Sequence, residues 1–283
     1  MLTVGMSSCA FPLTEESFAG LASAGIDCTE ISLHYTKHPD IDYKGTERLA
    51  KAHGVSLWSY HLPFASPDVL DIASTDEGIR RHTVAYWSEL VKKGAEIGIR
   101  HFVVHPSSEP KSEGEAREAE MNAAMTSLAA LAECAAREGG VIAVEDLPRS
   151  CLGRNTEELQ HLLSADARLR VCFDTNHLLL DDNLNFVERL GDKIVTLHVS
   201  DYDFVDEKHW LPGEGRVDFH ALYAALLRAG YTGPWMYELG LAAPKTILRP
   251  RTLTFADFRA NADAIFAGNA PAVLGTPTGA SFL

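Results

Sequence analysis

The chain has few cysteines and no pair of them spaced as CxxC. Cys9, Cys28, Cys134, Cys151 and Cys172 are odd in number and scattered. That excludes a disulfide framework and a thiolate zinc cluster, and fits free thiols in a reducing cytosol. Basic residues are scarce beside acids, with 25 Lys and Arg against 39 Asp and Glu and a formal net charge of −14. This balance opposes a broad nucleic-acid footprint, which needs a basic face to neutralise phosphates. No apolar stretch approaches the roughly 18–20 residues of a membrane span. The first residues lack the basic segment of a signal peptide, so a soluble, cytoplasmic protein without a membrane partner is expected. No glycine-rich GxGxxG follows the first strand-like run, so the fingerprint of a dinucleotide-binding open sheet is missing.

What is present is a repeating alternation. The 283 residues are 46% hydrophobic, enough for a full α/β core. Short apolar runs bounded by turn signals occur at 3–7, 28–33, 56–61, 101–105, 141–145, 170–174, 194–198 and 234–238, and read as buried strands. The segments between them show 3.6-residue apolar spacing, longest over 77–97 and 116–137. Thr14, Asn155, Asp218 and Thr254 stand where helix N-caps belong. Strands alternating with helices imply a parallel sheet, and eight such units match a (β/α)8 TIM barrel. The expected fold is α/β, a single-domain barrel over residues 1–270. Residues 271–283, rich in Gly, Pro, Ala and Thr, are expected to form a flexible C-terminal tail.

Chemistry-bearing residues sit at the ends of these runs. His61 ends the third, His105 the fourth, Glu145 the fifth, Asp174 the sixth, His198 the seventh and Glu238 the eighth. His177 follows Asp174 by three, and His209 lies in the long segment after the seventh run. Any one has a plain alternative: a strand-end Glu can pair with an Arg, and His61 can be a hydrogen-bonded core histidine. The series is the argument. A barrel brings the C-terminal ends of its strands to one mouth, where buried carboxylates and imidazoles need a partner. A divalent metal is the simplest, and this oxygen and imidazole set suits Mn, Mg, Co, Zn or Fe.

The ordered pieces Tyr60-His61-Leu62-Pro63-Phe64, Val104-His105-Pro106, Val144-Glu145-Asp146, Phe173-Asp174-Thr175-Asn176-His177, Leu197-His198-Val199-Ser200-Asp201, Gly213-Glu214-Gly215-Arg216-Val217-Asp218-Phe219 and Tyr237-Glu238 span nearly the whole chain. Together they resemble the xylose isomerase-like barrel superfamily, which contains sugar phosphate isomerases and epimerases and the endonuclease IV type of DNA repair enzyme. In the ketose epimerase branch the resemblance implies one divalent metal held by Glu145, Asp174, His198 and Glu238. Glu145 and Glu238 would be the acid and base, and His177 would contact the substrate. It implies a metal-dependent isomerase or epimerase of a small keto-sugar, sugar phosphate or polyol, working by proton abstraction beside a carbonyl through a metal-stabilised enediolate. A dehydratase on the same scaffold is an alternative. In the repair branch, added histidines build a three-metal cluster, for which His61, His105, His177 and His209 are placed. Against that branch stand the net charge and the spacing from Asp206 to His209, one residue longer than the branch's Asp-x-His pair.

His61, His105, His209 and Arg216 are further candidates for substrate contact. Arg216 equally suits a pairing with Glu214 or Asp218. Trp58, Phe64, Trp210 and Phe11 are candidate aromatic walls, and Lys245, Arg249 and Arg251 form a basic cluster that suits a phosphate or a solvated loop. The expected partner is a small sugar-like molecule rather than nucleic acid, with a homo-oligomer in view.

Overall fold

Eight short strands carry the apolar runs into one sheet. The computed structural model describes residues 1–281. In order come β1 (Val4–Ser7), α1 (Glu15–Ser23), β2 (Cys28–Ile31), α2 (Tyr43–His53), β3 (Ser56–His61), α3 (Glu77–Glu96), β4 (His101–Val104) and α4 (Glu115–Arg137). There follow β5 (Val141–Glu145), α5 (Thr156–Leu163), β6 (Arg170–Asp174), α6 (Asn183–Leu190), β7 (Ile194–His198), α7 (Phe219–Arg228), β8 (Trp235–Tyr237) and α8 (Phe255–Phe266). All pairings between these strands are parallel, in the order β7-β6-β5-β4-β3-β2-β1-β8. The ring closes just past β7, where Val199 donates to the Met236 carbonyl at 2.8 Å and accepts from Glu238 N–H at 3.2 Å. The single-domain TIM barrel expected from the alternation is the fold.

Helix starts follow the capping chemistry. Asn155 accepts from Glu158 N–H at 2.9 Å, Asp218 from Ala221 N–H at 3.0 Å, and Thr254 forms a capping box with Asp257. Their buried faces lie on the outer side of the sheet. Trp87, Leu90 and Val91 of α3 and Leu128, Leu131 and Ala135 of α4 join Phe102, Val104 and Val144 in the main core. Gly94 allows α3 to approach closely: a Cβ there would lie 2.8 Å from Phe102 and 3.1 Å from Tyr60.

The inner side of the barrel is set by strand alternation. Val103, Ala143 and Cys172 form a small separate apolar cluster with Val195. Two residues further on, on the same face, stand His105 just past the end of β4, and Glu145 and Asp174 at the ends of β5 and β6. The apolar layer is therefore the floor beneath a polar one, and period-two geometry turns the strand-end acids and imidazoles inward together.

The segment 271–283, expected as a flexible tail, carries β10 (Thr276–Pro277), paired antiparallel with β9 (Ile247–Leu248) in the β8–α8 loop. Thr278 N–H donates to the Thr246 carbonyl at 2.9 Å. Residues 282 and 283 lie outside the described residues.

A buried polar chain braces β3 against the β2–α2 connection. His38 Nε2 meets the Leu33 carbonyl at 2.8 Å, so Nε2 carries the proton and Nδ1 accepts from the Tyr60 hydroxyl at 2.8 Å. Tyr60 in turn accepts from Tyr43 at 2.9 Å. Burial pushes His38 down to about 4, because a second ring proton would be poorly solvated. Between about pH 6.5 and 4 the unfolded chain then holds more protons on this residue than the folded one, so its contribution to stability falls as pH falls. His38→Gln is expected to be less stable than the wild type at pH 7.5. Denaturant titrations should show that gap narrowing below pH 6.5 by up to about 1.4 kcal/mol per pH unit. A gap constant from pH 7.5 to 4.5 would contradict this reading.

Candidate functional site

His198 is the centre of the polar layer. It is fully buried at the end of β7. Its Nε2 lies 3.0 and 3.2 Å from the two carboxylate oxygens of Glu30 in β2. Glu30 also accepts from Ser7 Oγ at 3.1 Å and Ser59 Oγ at 2.8 Å, so three strands hold it. With Nε2–H donated downward, Nδ1 faces the mouth. There it lies 3.1 Å from Glu145 Oε1, 3.1 Å from Glu238 Oε2 and 4.0 Å from Asp174 Oδ2. Burial disfavours a charge on His198, but the surrounding acids outweigh it and raise its pKa well above the ordinary value. Burial also works to raise Glu145 and Glu238; facing His198 reverses this, holding Glu145 well below the usual range and Glu238 at about 2. Asp174 differs: burial dominates and pushes it up to about 6.

Two further groups flank this one. Glu145 Oε2 meets His61 Nε2 at 3.2 Å and His105 Nε2 at 3.4 Å. On the other side, His177 Nδ1–H donates to the Asp146 carbonyl at 2.8 Å, and Nε2 lies 3.0 Å from Glu207 Oε1. The same Glu207 oxygen is 3.7 Å from His209 Nε2. Ligand atoms within each of the sets Glu145–Asp174–His198–Glu238, His61–His105–Glu145 and His177–Glu207–His209 lie within 4.8 Å of one another. A cavity of about 570 Å³ opens above them, lined by His61, His105, Glu145, His177, Glu207, His209 and Glu238, with Phe64, Leu147, Pro148, Arg149 and the β8–α8 loop as walls.

The loops that form this mouth are tied by charged groups. Lys111 pairs with Asp71 in a buried contact that joins the β3–α3 and β4–α4 loops. Buried Arg117 of α4 donates to the Ser150 and Cys151 carbonyls at 2.8 Å each and pairs with Glu158. Asp201 shapes the β7–α7 loop by accepting from the backbone N–H of Tyr202, Gly213, Gly215 and Val217. A Cβ at Gly215 would collide with that carboxylate. The Gly-Glu-Gly motif is thus explained by loop construction. Arg149 and His209, both at the mouth, hold left-handed backbone conformations with φ of 53° and 50°.

Eight of the nine expected site residues converge here. Arg216 does not: it is exposed and absent from the cavity lining, and the buried bidentate partner of Glu214 is Arg249, at 2.6 Å. The basic cluster near residue 250 is taken up likewise, since Arg251 pairs with Asp257. Of the candidate aromatic walls only Phe64 lines the cavity, stacked on His105 at 4.4 Å. Trp58 stacks on His101, and Phe11 packs edge-on against Phe255. The spacing argument from Asp206 needs correction. Asp206 turns to Arg149, while Glu207 faces His177 and His209, so the acid and His209 are separated by one residue. Glu30 escaped sequence reading because the second run continues to residue 33 on paper, whereas β2 ends at Ile31. Its one signal is an acid in the middle of a buried strand.

The four central residues fit a divalent cation. Asp174 Oδ2 is buried without a hydrogen-bond partner among the described residues, with His177 Nε2 3.6 Å away, and a cation would fill that open position. Three carboxylate oxygens and one imidazole nitrogen suit Mn, Mg, Co or Zn. Glu30 supplies the carboxylate that such a histidine ligand ordinarily has on its other nitrogen, fixing tautomer and orientation. Glu30→Gln is therefore expected to weaken Mn or Co binding by about 10- to 100-fold while the fold persists. Calorimetric titration of metal into both proteins checks this, and equal affinities would count against the role.

A model of the xylose isomerase-like TIM barrel family matches residues 18–250. An uncharacterized protein of Methanocaldococcus jannaschii is 28% identical over 228 residues, covering 77% of this chain and 76% of that protein. Among solved structures, a D-tagatose 3-epimerase-like protein superposes with a TM-score of 0.73 at 24% identity, covering 84% of this chain and 90% of the other. The 3-keto-D-glucoside 4-epimerase of E. coli, in its apo form, gives 0.75 at 18% identity, covering 94% and 100%. With its barrel closed and its acids gathered at the C-terminal mouth, the chain belongs to the xylose isomerase-like TIM barrel family.

Proposed function

We propose that this chain is a metal-dependent epimerase of a small keto-sugar. The observation that carries the reading is the pair Glu145 and Glu238. They reach one imidazole nitrogen, His198 Nδ1, from two strands, each at 3.1 Å, and both line the cavity. Removing a proton beside a carbonyl needs a base within hydrogen-bond reach, and epimerisation needs delivery from the opposite face. One of the two would take the proton and the other would deliver one to the opposite face, with their roles exchanging with the direction of reaction. Glu145, Asp174, His198 and Glu238 would hold the cation, which would supply polarisation of the carbonyl and compensation of the charge that develops on its oxygen. His177, His61, His105 and His209 line the walls where sugar hydroxyls would lie and are assigned to substrate contact. The 3-epimerase-like and 4-epimerase neighbours support the same reaction class.

Metal-loaded protein incubated with a panel of ketoses in D2O should exchange deuterium into the carbon beside the carbonyl and form the epimer. Glu145→Gln and Glu238→Gln should each lower turnover by about 10²- to 10⁴-fold. Full metal content and full turnover in both variants would sink the acid–base assignment.

One observation favours a second reading. Glu145 belongs to both the central set and the His61–His105 set, and His177–Glu207–His209 completes a third adjoining group, an arrangement that suits three metals and a phosphodiesterase of the repair type. Zinc stoichiometry and incubation with abasic-site duplex DNA separate the two. One ion per chain and intact DNA are expected; three ions with strand cleavage would replace the epimerase reading.

A further inference from the structure

We propose that Arg149 is a positioning residue of the cavity wall: its guanidinium fixes Glu207, and Glu207 fixes His177 and His209. The inference rests on the one-metal epimerase reading, in which those two histidines meet substrate rather than a cation. Glu207 stands between them, and all four residues line the cavity. Its Oε1 lies 3.0 Å from His177 Nε2 and 3.7 Å from His209 Nε2. Its Oε2 accepts from Arg149 Nη1. The last torsion of a glutamate is broad and nearly two-fold, so contacts at one oxygen do not fix the plane of the carboxylate. A planar, permanently charged guanidinium on the second oxygen supplies the missing constraint.

Arg149 is itself anchored. Its Nε lies 3.2 and 3.1 Å from the two oxygens of Glu109, its Nη2 lies 3.0 Å from Glu109 Oε2, and Nη1 also donates to Asp206 at 3.1 Å. Glu109 is fixed in turn, accepting from Ser150 Oγ at 3.0 Å and Ser150 N–H at 3.4 Å. One side chain thus joins the β4–α4, β5–α5 and β7–α7 loops. The path of the β7–α7 loop has other supports. Asn176 Oδ1 accepts from Lys208 N–H at 3.0 Å and His209 N–H at 3.5 Å, and Asp201 holds the turn that follows. What Arg149 adds is the orientation of the Glu207 side chain. The His177 ring depends on it: Nδ1–H donates to the Asp146 carbonyl at 2.8 Å, and on the other side Glu207 at 3.0 Å is closer than Asp174 at 3.6 Å. Burial works to lower His177, but Asp174 and Glu207 outweigh it and raise it well above the ordinary value, so Nε2 meets Glu207 as a charged donor. The backbone points the same way. Among the described residues three non-glycine residues are left-handed, Arg149, Phe204 and His209, with φ of 53°, 64° and 50°, and all lie in the β5–α5 and β7–α7 loops. Such conformations persist where the surroundings over-determine them, and they cluster at working sites.

The test uses full-length protein loaded with Mg, a diamagnetic ion, with Arg149→Met, Glu207→Gln and the double variant. The first readout is the ring-nitrogen NMR signals of His177 and His209. In both single variants these should move while those of His61 and His105 stay, and Arg149→Lys should bring them part of the way back. The second readout is steady-state kinetics on a ketose identified by deuterium exchange. Each single variant should raise KM about tenfold and leave kcat within about threefold, because Glu145 and Glu238 are not displaced. The double variant should be hardly worse than either single one, since Arg149 acts through Glu207. Unmoved His177 and His209 signals in Arg149→Met, or KM effects that add in the double variant, would overturn the proposal. Arg149→Lys, which keeps the charge but lacks the fork, carries the same comparison if Arg149→Met does not fold. If the signals move as described while no ketose is epimerised, the positioning role stands and the epimerase reading fails.

Discussion

The whole polar end of this barrel depends on the burial of one imidazole between acids. His198 has no exposed surface, and carboxylates stand on both of its ring nitrogens. In a low-dielectric interior neither the histidine nor the acids would be tolerable alone. Each justifies the others, so the geometry of one reports on all. Glu30 anchors the ring from below, while Glu145 and Glu238 face it from above. The apolar floor of Val103, Ala143 and Cys172 shields the lower side from water.

That arrangement is useful only if the loops above it stay in place. They are held by ion pairs joining elements far apart in sequence: Asp71 with Lys111, Arg117 with Glu158, Glu214 with Arg249, and Glu109 with Arg149. A buried pair adds little net stability, because desolvation cancels much of the attraction. Its value here is positional. Each ties together loops that lie outside the barrel sheet, and catalytic groups work only when held close to their reacting geometry.

The same residues also explain how one scaffold can host different chemistry. Glu145 is shared between two candidate ligand sets, and a third set adjoins them. How many of these sets hold a cation would decide which of the two proposed chemistries the scaffold serves.

Much of this was readable from local pattern. Eight apolar runs with caps between them specify eight strand–helix units, because period-two and period-3.6 burial are properties of neighbouring residues. The strand-end position of Glu145, Asp174, His198 and Glu238 then specifies a common mouth, since parallel strands in a barrel all end on the same side. The sequence by itself determined the barrel and those four acids and imidazoles. Only the tertiary structure decided which neighbour each charge would meet. It put Glu30 beneath His198 across 168 residues, chose Glu207 over Asp206 to face the histidines, gave Glu214 to Arg249, and left Arg216 in solvent. Those choices depend on strand register and loop path, which arise from contacts between segments distant in sequence and leave no periodic trace in either partner.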